Sequence, residues 1–148
     1  MPKASVKRLI ECNKSQLIDL VLDIEKYPTF VPYCIDAKIY EKKNTDNFIN
    51  IIADLTIGKG PFKDTYKSDV KLNKKNNSIY VTNIGGPLKH LDNKWTFEDH
   101  KEGTEIYFDV DFEIKNKFLN ILMTTSFQYG LNNIADAFQK RANKLFKS

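Results

Sequence analysis

Residues 105–114, EIYFDVDFEI, alternate without a break. Ile106, Phe108, Val110, Phe112 and Ile114 fall on one side, and Tyr107, Asp109, Asp111 and Glu113 on the other. Successive side chains of a β-strand point to opposite faces, so this stretch specifies a strand with one apolar and one charged face. Such alternation belongs to antiparallel pairing, with the sheet dry on one side and wet on the other. The dry side cannot stand alone; it needs a cover.

The rest of the chain supplies more strands and one long cover. In FINIIADLTIG, residues 48–58, Ile49, Ile51, Ala53, Leu55 and Ile57 share a face. In TYKSDVKL, residues 65–72, Tyr66, Val70 and Leu72 alternate with Lys67, Asp69 and Lys71. KKNNS at 74–78, GGP at 85–87 and KEG at 101–103 separate the runs as turns. SVKRLIEC, residues 5–12, reads as a first strand. NKSQLIDLVLDIEKY, residues 13–27, changes period: Leu17, Ile18, Val21, Leu22 and Ile24 form a helical face, Asn13 or Ser15 serves as N-cap, and Pro28 and Pro32 stop the helix. From 116 to 147 there is no proline, and Leu119, Met123, Phe127, Leu131, Ile134, Phe138, Ala142 and Leu145 recur every three or four residues, which predicts a long amphipathic helix.

The expectation is therefore an α+β fold, with a curved antiparallel sheet of about six or seven strands wrapped around the C-terminal helix. A strongly twisted sheet leaves a gap beneath one helix wherever the intervening side chains are small. Gly130, three residues after Phe127 and four before Ile134, lies on the sheet-facing stripe. Glycine inside a helix costs about 1 kcal/mol relative to alanine. Either a cavity for a guest or a close approach of helix to sheet offsets that cost, and both readings stand.

Composition sets the outer bounds. At 148 residues, 41% hydrophobic and 28% charged, the chain is expected to fold as one domain spanning 1–148. It has no apolar run of about 18 residues to cross a membrane, and Lys3, Lys7, Arg8 and Glu11 interrupt any signal-peptide core. A cytoplasmic location follows as the expectation. Cys12 and Cys34 read as small apolar residues rather than as a bridge. A formal charge of +4 leans weakly toward acidic partners, anionic lipid or RNA, and reads most simply as a solvated surface.

EKYPTFVPYC, residues 25–34, is too apolar for a solvated loop and too proline-rich for a helix or strand. With the helix before it, VLDIEKYPTFVPYC resembles the signature of the coenzyme Q-binding START-like proteins, within the wider SRPBCC polyketide cyclase and lipid-transport family. That group includes the ribosome-association toxin RatA and proteins once labelled oligoketide cyclases. ADLTIGKGPFKDTYKSDVKL at 53–72, GGPLKHLDNKW-F at 85–97, FDVDFEIKN at 108–116 and AFQKRANKLF at 137–146 resemble it in register, so the likeness covers nearly the whole chain. Two departures are Tyr33, where the family often has tryptophan, and GKGPF in place of a glycine–aromatic contact. The resemblance implies the helix-grip fold, START or Bet v 1-like, with an apolar tunnel between sheet and helix and an isoprenoid guest.

The residues do not suggest catalysis. His90 and His100, the two histidines, fall in polar, turn-like contexts without metal-ligand spacing. No nucleophile elbow is present, and Asp109, Asp111 and Glu113 read as a solvated strand surface because the opposite face is uniformly apolar. The candidates for lining a tunnel are Ile51, Leu55, Tyr66, Trp95, Phe97, Phe108, Val110 and Phe112 from the sheet, and Met123, Phe127, Gly130, Leu131, Ile134 and Phe138 from the helix. Tyr27, Pro28, Phe30, Val31, Pro32 and Tyr33 form either an entrance lip that dips into a membrane interface or a plug that closes the core. Tyr27 or Tyr33 would offer a phenol to a quinone carbonyl.

The resemblance implies three functions. The first is a non-enzymatic protein, without cofactor or metal, that binds and delivers ubiquinone or a related polyprenyl lipid for respiration, peripheral to the inner membrane. The alternative is a ribosome-association toxin that binds the large ribosomal subunit, with lysines at 42–43, 74–75 and 140–147 meeting RNA. A polyketide cyclase-like enzyme is third.

Overall fold

The computed structural model describes residues 3–59, 62–84, 88–115 and 117–146, with side chains at all of these except 59, 62, 64, 88, 114 and 118–130. Strands β1 (Lys3–Ile10), β2 (Cys34–Asn44), β3 (Phe48–Lys59), β4 (Phe62–Asn73), β5 (Ser78–Asn83), β6 (Leu88–His100) and β7 (Gly103–Ile114) form one sheet in the order β1-β7-β6-β5-β4-β3-β2. Every neighbouring pair is antiparallel. The six or seven strands read from the sequence are seven. Irregularities in the β2–β3 ladder at Cys34/Asp36 and Ile39/Glu41, and in the β6–β7 ladder at Leu88/His90, bend the sheet locally. Helix α1 (Lys14–Leu22) follows β1, and helix α2 (Lys117–Phe146) closes the chain.

Local chemistry explains where elements start and stop. Asn13 caps α1: its Oδ1 accepts from the Gln16 amide at 2.9 Å, and the Gln16 side chain accepts from the Asn13 amide at 3.2 Å, a reciprocal capping box. The helix does not run to residue 27. It ends at Leu22, and a 3-10 segment spans Ile24–Thr29 with Pro28 inside it. The reason is the phenol of Tyr27, which donates to the Val21 carbonyl, the acceptor that a continuing α-helix would have given to the amide of residue 25. The first strand begins and ends two residues earlier than the 5–12 expected. After Ile10 the chain turns, Cys12 N–H reaches back to the Ile10 carbonyl at 2.8 Å, and Thr104 Oγ1 donates to the Cys12 carbonyl at 2.8 Å. The turns at 74–77 and 101–102 form as read; the one expected at 85–87 lies outside the described residues.

α2 matches the span expected for it to within one residue at each end. Its buried stripe is Leu131, Ala135, Phe138 and Ala142, spaced four, three and four apart. Ile134 is half-buried beside that stripe. Leu145, expected on it, is 49% exposed, and Phe146 packs against the core instead. Polar contacts fasten α2 to β1, among them Arg8 Nη2 to Asp136 Oδ1 at 2.9 Å and Gln139 Nε2 to the Leu9 carbonyl at 3.4 Å. The principal core lies among α1, the C-terminal half of α2 and the concave face of the sheet.

Candidate functional site

The ladders fix rows of side chains across the concave face. One row runs Leu72, Ile79, Trp95, Phe108 and Val6, and every member is buried. The next runs Ile51, Val70, Val81, Asn93, Val110 and Ala4. Ile51 and Val70 are buried, but Val81, Asn93, Val110 and Ala4 are only half-buried. Farther along, Leu55 pairs with Tyr66, and both are half-buried although both point inward. Leu91 and Phe112 form a second buried cluster, separate from the main core, with Tyr66, Val81 and Val110 packed against it. The inward face is thus sealed in one region and left accessible in another. Phe97, Leu131 and Phe138 belong to the sealed region. Met123, Phe127 and Gly130 lie outside the described side chains.

Polar groups interrupt this face where the alternation calls for apolar ones. Ser68 is fully buried and donates to the Ala53 carbonyl at 3.3 Å. Asn83 Oδ1 accepts from the Leu91 amide at 2.9 Å. Asn93 accepts from Trp95 Nε1 at 2.8 Å and donates to the Asp109 carbonyl at 2.8 Å. None of the three was singled out from the sequence. The signal was there: each occupies the inward parity of its strand, in line with Val70, Val81 and Trp95.

The segment from Ile24 to Tyr33 packs inward for most of its length. Tyr27, Phe30 and Phe138 form a three-ring cluster of edge-on contacts with centroids 5.2–5.9 Å apart. Val31 joins the same core, and Pro28 and Pro32 are half-buried. Its backbone is neither α-helix nor strand, as the composition suggests: a 3-10 segment runs to Thr29 and turns follow, with Val31 N–H to the Tyr27 carbonyl at 2.8 Å and Cys34 N–H to the Val31 carbonyl at 3.3 Å. Tyr33 faces outward, 38% exposed, on a left-handed φ of 68°. Of the two phenols suggested for a quinone carbonyl, that of Tyr27 already gives its proton to Val21. Burial, with Tyr66, Cys34 and Asp23 nearby, raises its pKa beyond the ordinary phenol range. Tyr66 is raised in the same direction by burial and by its neighbour Cys34. Cys34 and Cys12 are free, half-buried thiols.

The convex face is a charged surface. Asp111 faces Lys3 at 3.8 Å and His90 at 3.2 Å, Glu113 faces Lys89 at 3.1 Å, and Glu105 faces Lys7 at 3.5 Å. His90 and His100 both sit in β6 rather than in turns. Lysines cover exposed aromatic rings here, Lys38 and Lys67 over Tyr40 at 5.0 and 4.8 Å and Lys71 over Phe48 at 5.4 Å. Among the described residues no group of three or more His, Cys, Asp or Glu side chains is placed to hold a metal ion.

Residues 10–139 match the model of the polyketide cyclase/dehydrase and lipid-transport family. The chain belongs to this family. A ribosome association toxin RatA from Rickettsia prowazekii is 31% identical over 143 residues, 95% of each chain. The mitochondrial coenzyme Q-binding protein COQ10 of Dictyostelium discoideum is 28% identical over 137 residues, 90% of this chain and 65% of that one. Among solved structures, a START superfamily protein from Mycobacterium smegmatis superimposes with a TM-score of 0.80 at 16% identity, covering 97% of this chain and 98% of that one. The helix-grip expectation therefore holds for the fold. The family spans polyketide cyclases, dehydrases and lipid-transport proteins.

Proposed function

We propose that this protein binds a long apolar ligand on its concave face beneath α2 and hands it on without chemical change. The observation that carries this reading is the half-burial of Leu55, Tyr66, Val81 and Val110, inward-pointing residues on the same sheet face as the fully covered row Leu72, Ile79, Trp95 and Phe108. Apolar side chains left accessible on an inner face gain about 25 cal/mol for each Å² that a guest covers, and Asn83 and Asn93 offer nearby dipoles to orient a polar head. Resemblance to a coenzyme Q-binding protein makes a polyprenyl quinone the proposed guest. Delivery to a respiratory membrane would need peripheral contact; among the described residues no helix is long and apolar enough to cross one. Organic extraction of the purified protein followed by mass spectrometry tests the proposal. A stoichiometric polyprenyl lipid is expected, and protein that neither carries nor takes up such a lipid would overturn it.

A second reading is ribosome association, favoured by 31% identity over 95% of the chain to a RatA protein. Cosedimentation with purified large ribosomal subunits at low salt is its test, and a protein that stays in the supernatant rejects it.

A further inference from the structure

A groove of about 480 Å³ lies outside the main core, lined by Phe30 and Pro32 on one side and by Asp136, Lys140, Arg141 and Lys144 of α2 on the other. Its charge is one-sided. Asp136 is engaged by Arg8 at 2.9 Å, while among the described residues Lys140, Arg141 and Lys144 make no ion pair. Arg141 Nε is buried without a hydrogen-bond partner among the described residues, and the guanidinium carbon rests 5.5 Å from the Phe30 ring centre. A buried donor left unpaired is costly, and arginine matches phosphate oxygens with a fork of parallel bonds. Lys140 and Lys144 stand one turn apart, about 6 Å along the axis, a step comparable to the phosphate repeat of an extended strand.

We infer that this groove seats the sugar–phosphate backbone of RNA, with Lys140, Arg141 and Lys144 each facing a phosphate. The inference rests on the ribosome-association reading and supplies its contact surface. Shape favours a strand over a bilayer: the apolar side chain of Phe30 is held from within by Tyr27 and Phe138 and lies under Arg141, so it lines the floor and does not project. In each of the other two lysine pairs one member is engaged elsewhere, Lys43 with Glu41 at 3.2 Å and Lys74 with the Thr45 carbonyl at 2.6 Å.

The test compares the intact chain, the double variant Lys140→Gln/Lys144→Gln and the control Lys42→Gln/Lys43→Gln, all substitutions being at exposed positions. Binding to large ribosomal subunits and to a labelled single-stranded RNA is measured across a salt series. Three phosphate contacts predict that wild-type affinity falls roughly 20-fold between about 50 and 200 mM salt, and the groove variant should lose about 1.4 from the log–log slope while the control keeps it. Wild-type binding with an unchanged slope in the groove variant overturns the inference and leaves ribosome association standing. Failure of the wild type to bind subunits at low salt rejects both. Flotation with anionic phosphatidylglycerol vesicles in the absence of RNA binding would make the groove a membrane face and likewise overturn the inference.

Discussion

Trp95 of β6 and Phe138 of α2 meet edge to face, with ring centres 5.4 Å apart and planes at 69°. Behind Trp95 lies Phe108, stacked at 4.4 Å, and beyond Phe138 lie Phe30 and Tyr27. One aromatic column thus runs from the sheet through the helix to the proline-rich segment. Phe138 is its central link and is buried, so Phe138→Ala should cost about 3–5 kcal/mol, whereas Phe138→Leu should cost considerably less. Urea denaturation of the two variants checks this. Near-equal midpoints would mean that the column does not join helix to sheet.

The accessible part of the inner face predicts a contrast within one strand. Ile51 is fully buried and Leu55, four residues on with the same inward parity, is half-buried. Tryptophan at 51 should overpack the core and destabilise by about 1–3 kcal/mol. Leu55→Trp should leave the thermal midpoint close to wild type while lowering the amount of lipid recovered by extraction. Equal destabilisation at both positions would show that Leu55 faces packed core and not accommodating space.

Much of this was readable from side-chain periodicity. The alternation at 105–114 puts Ile106, Phe108 and Phe112 in the core and leaves Tyr107 and Asp109 exposed. The proline-free C-terminus is α2. What escaped involves groups that periodicity cannot see. α1 ends at Leu22 because a phenol claims a backbone carbonyl, and residue type alone does not show which carbonyl a tyrosine will reach. The groove beside Phe30 draws its walls from segments about a hundred residues apart, so no local pattern encodes it. Asn83 and Asn93 were visible as breaks in the inward parity, but a strand's polar residues are ordinarily read as its wet face.

Gly103 opens β7 against the end of β1. Its φ is +147°, and a Cβ there would lie 2.2 Å from the Ile10 carbonyl oxygen and 2.9 Å from the Glu11 Cα. Both obstacles are backbone, so a side chain cannot be accommodated by a rotamer change. Gly103→Ala should destabilise by more than about 2 kcal/mol through combined strain and clash. A thermal midpoint unchanged by the substitution would show that the β1 end does not press on this turn.

Stability should also fall in alkali. Burial, assisted by the nearby Asp36 carboxylate, pushes the Cys34 thiol from an ordinary 9.0 up to about 11. Tyr27 and Tyr66 are raised above the ordinary phenol value of 10.0 by burial as well. The folded chain therefore holds these protons more tightly than the unfolded chain does. Below about pH 9 both states keep them, and stability is independent of these groups. Between about pH 9 and 11 the unfolded state loses the Cys34 proton while the native state retains it, so unfolding is increasingly favoured as pH rises. The urea midpoint should hold level up to about pH 9 and then decline, and Cys34→Ala should soften the first part of the decline while leaving the tyrosine part above about pH 10. A midpoint that instead rises through this range would require a thiolate stabilised in the fold, the opposite of an enclosed thiol beside a carboxylate.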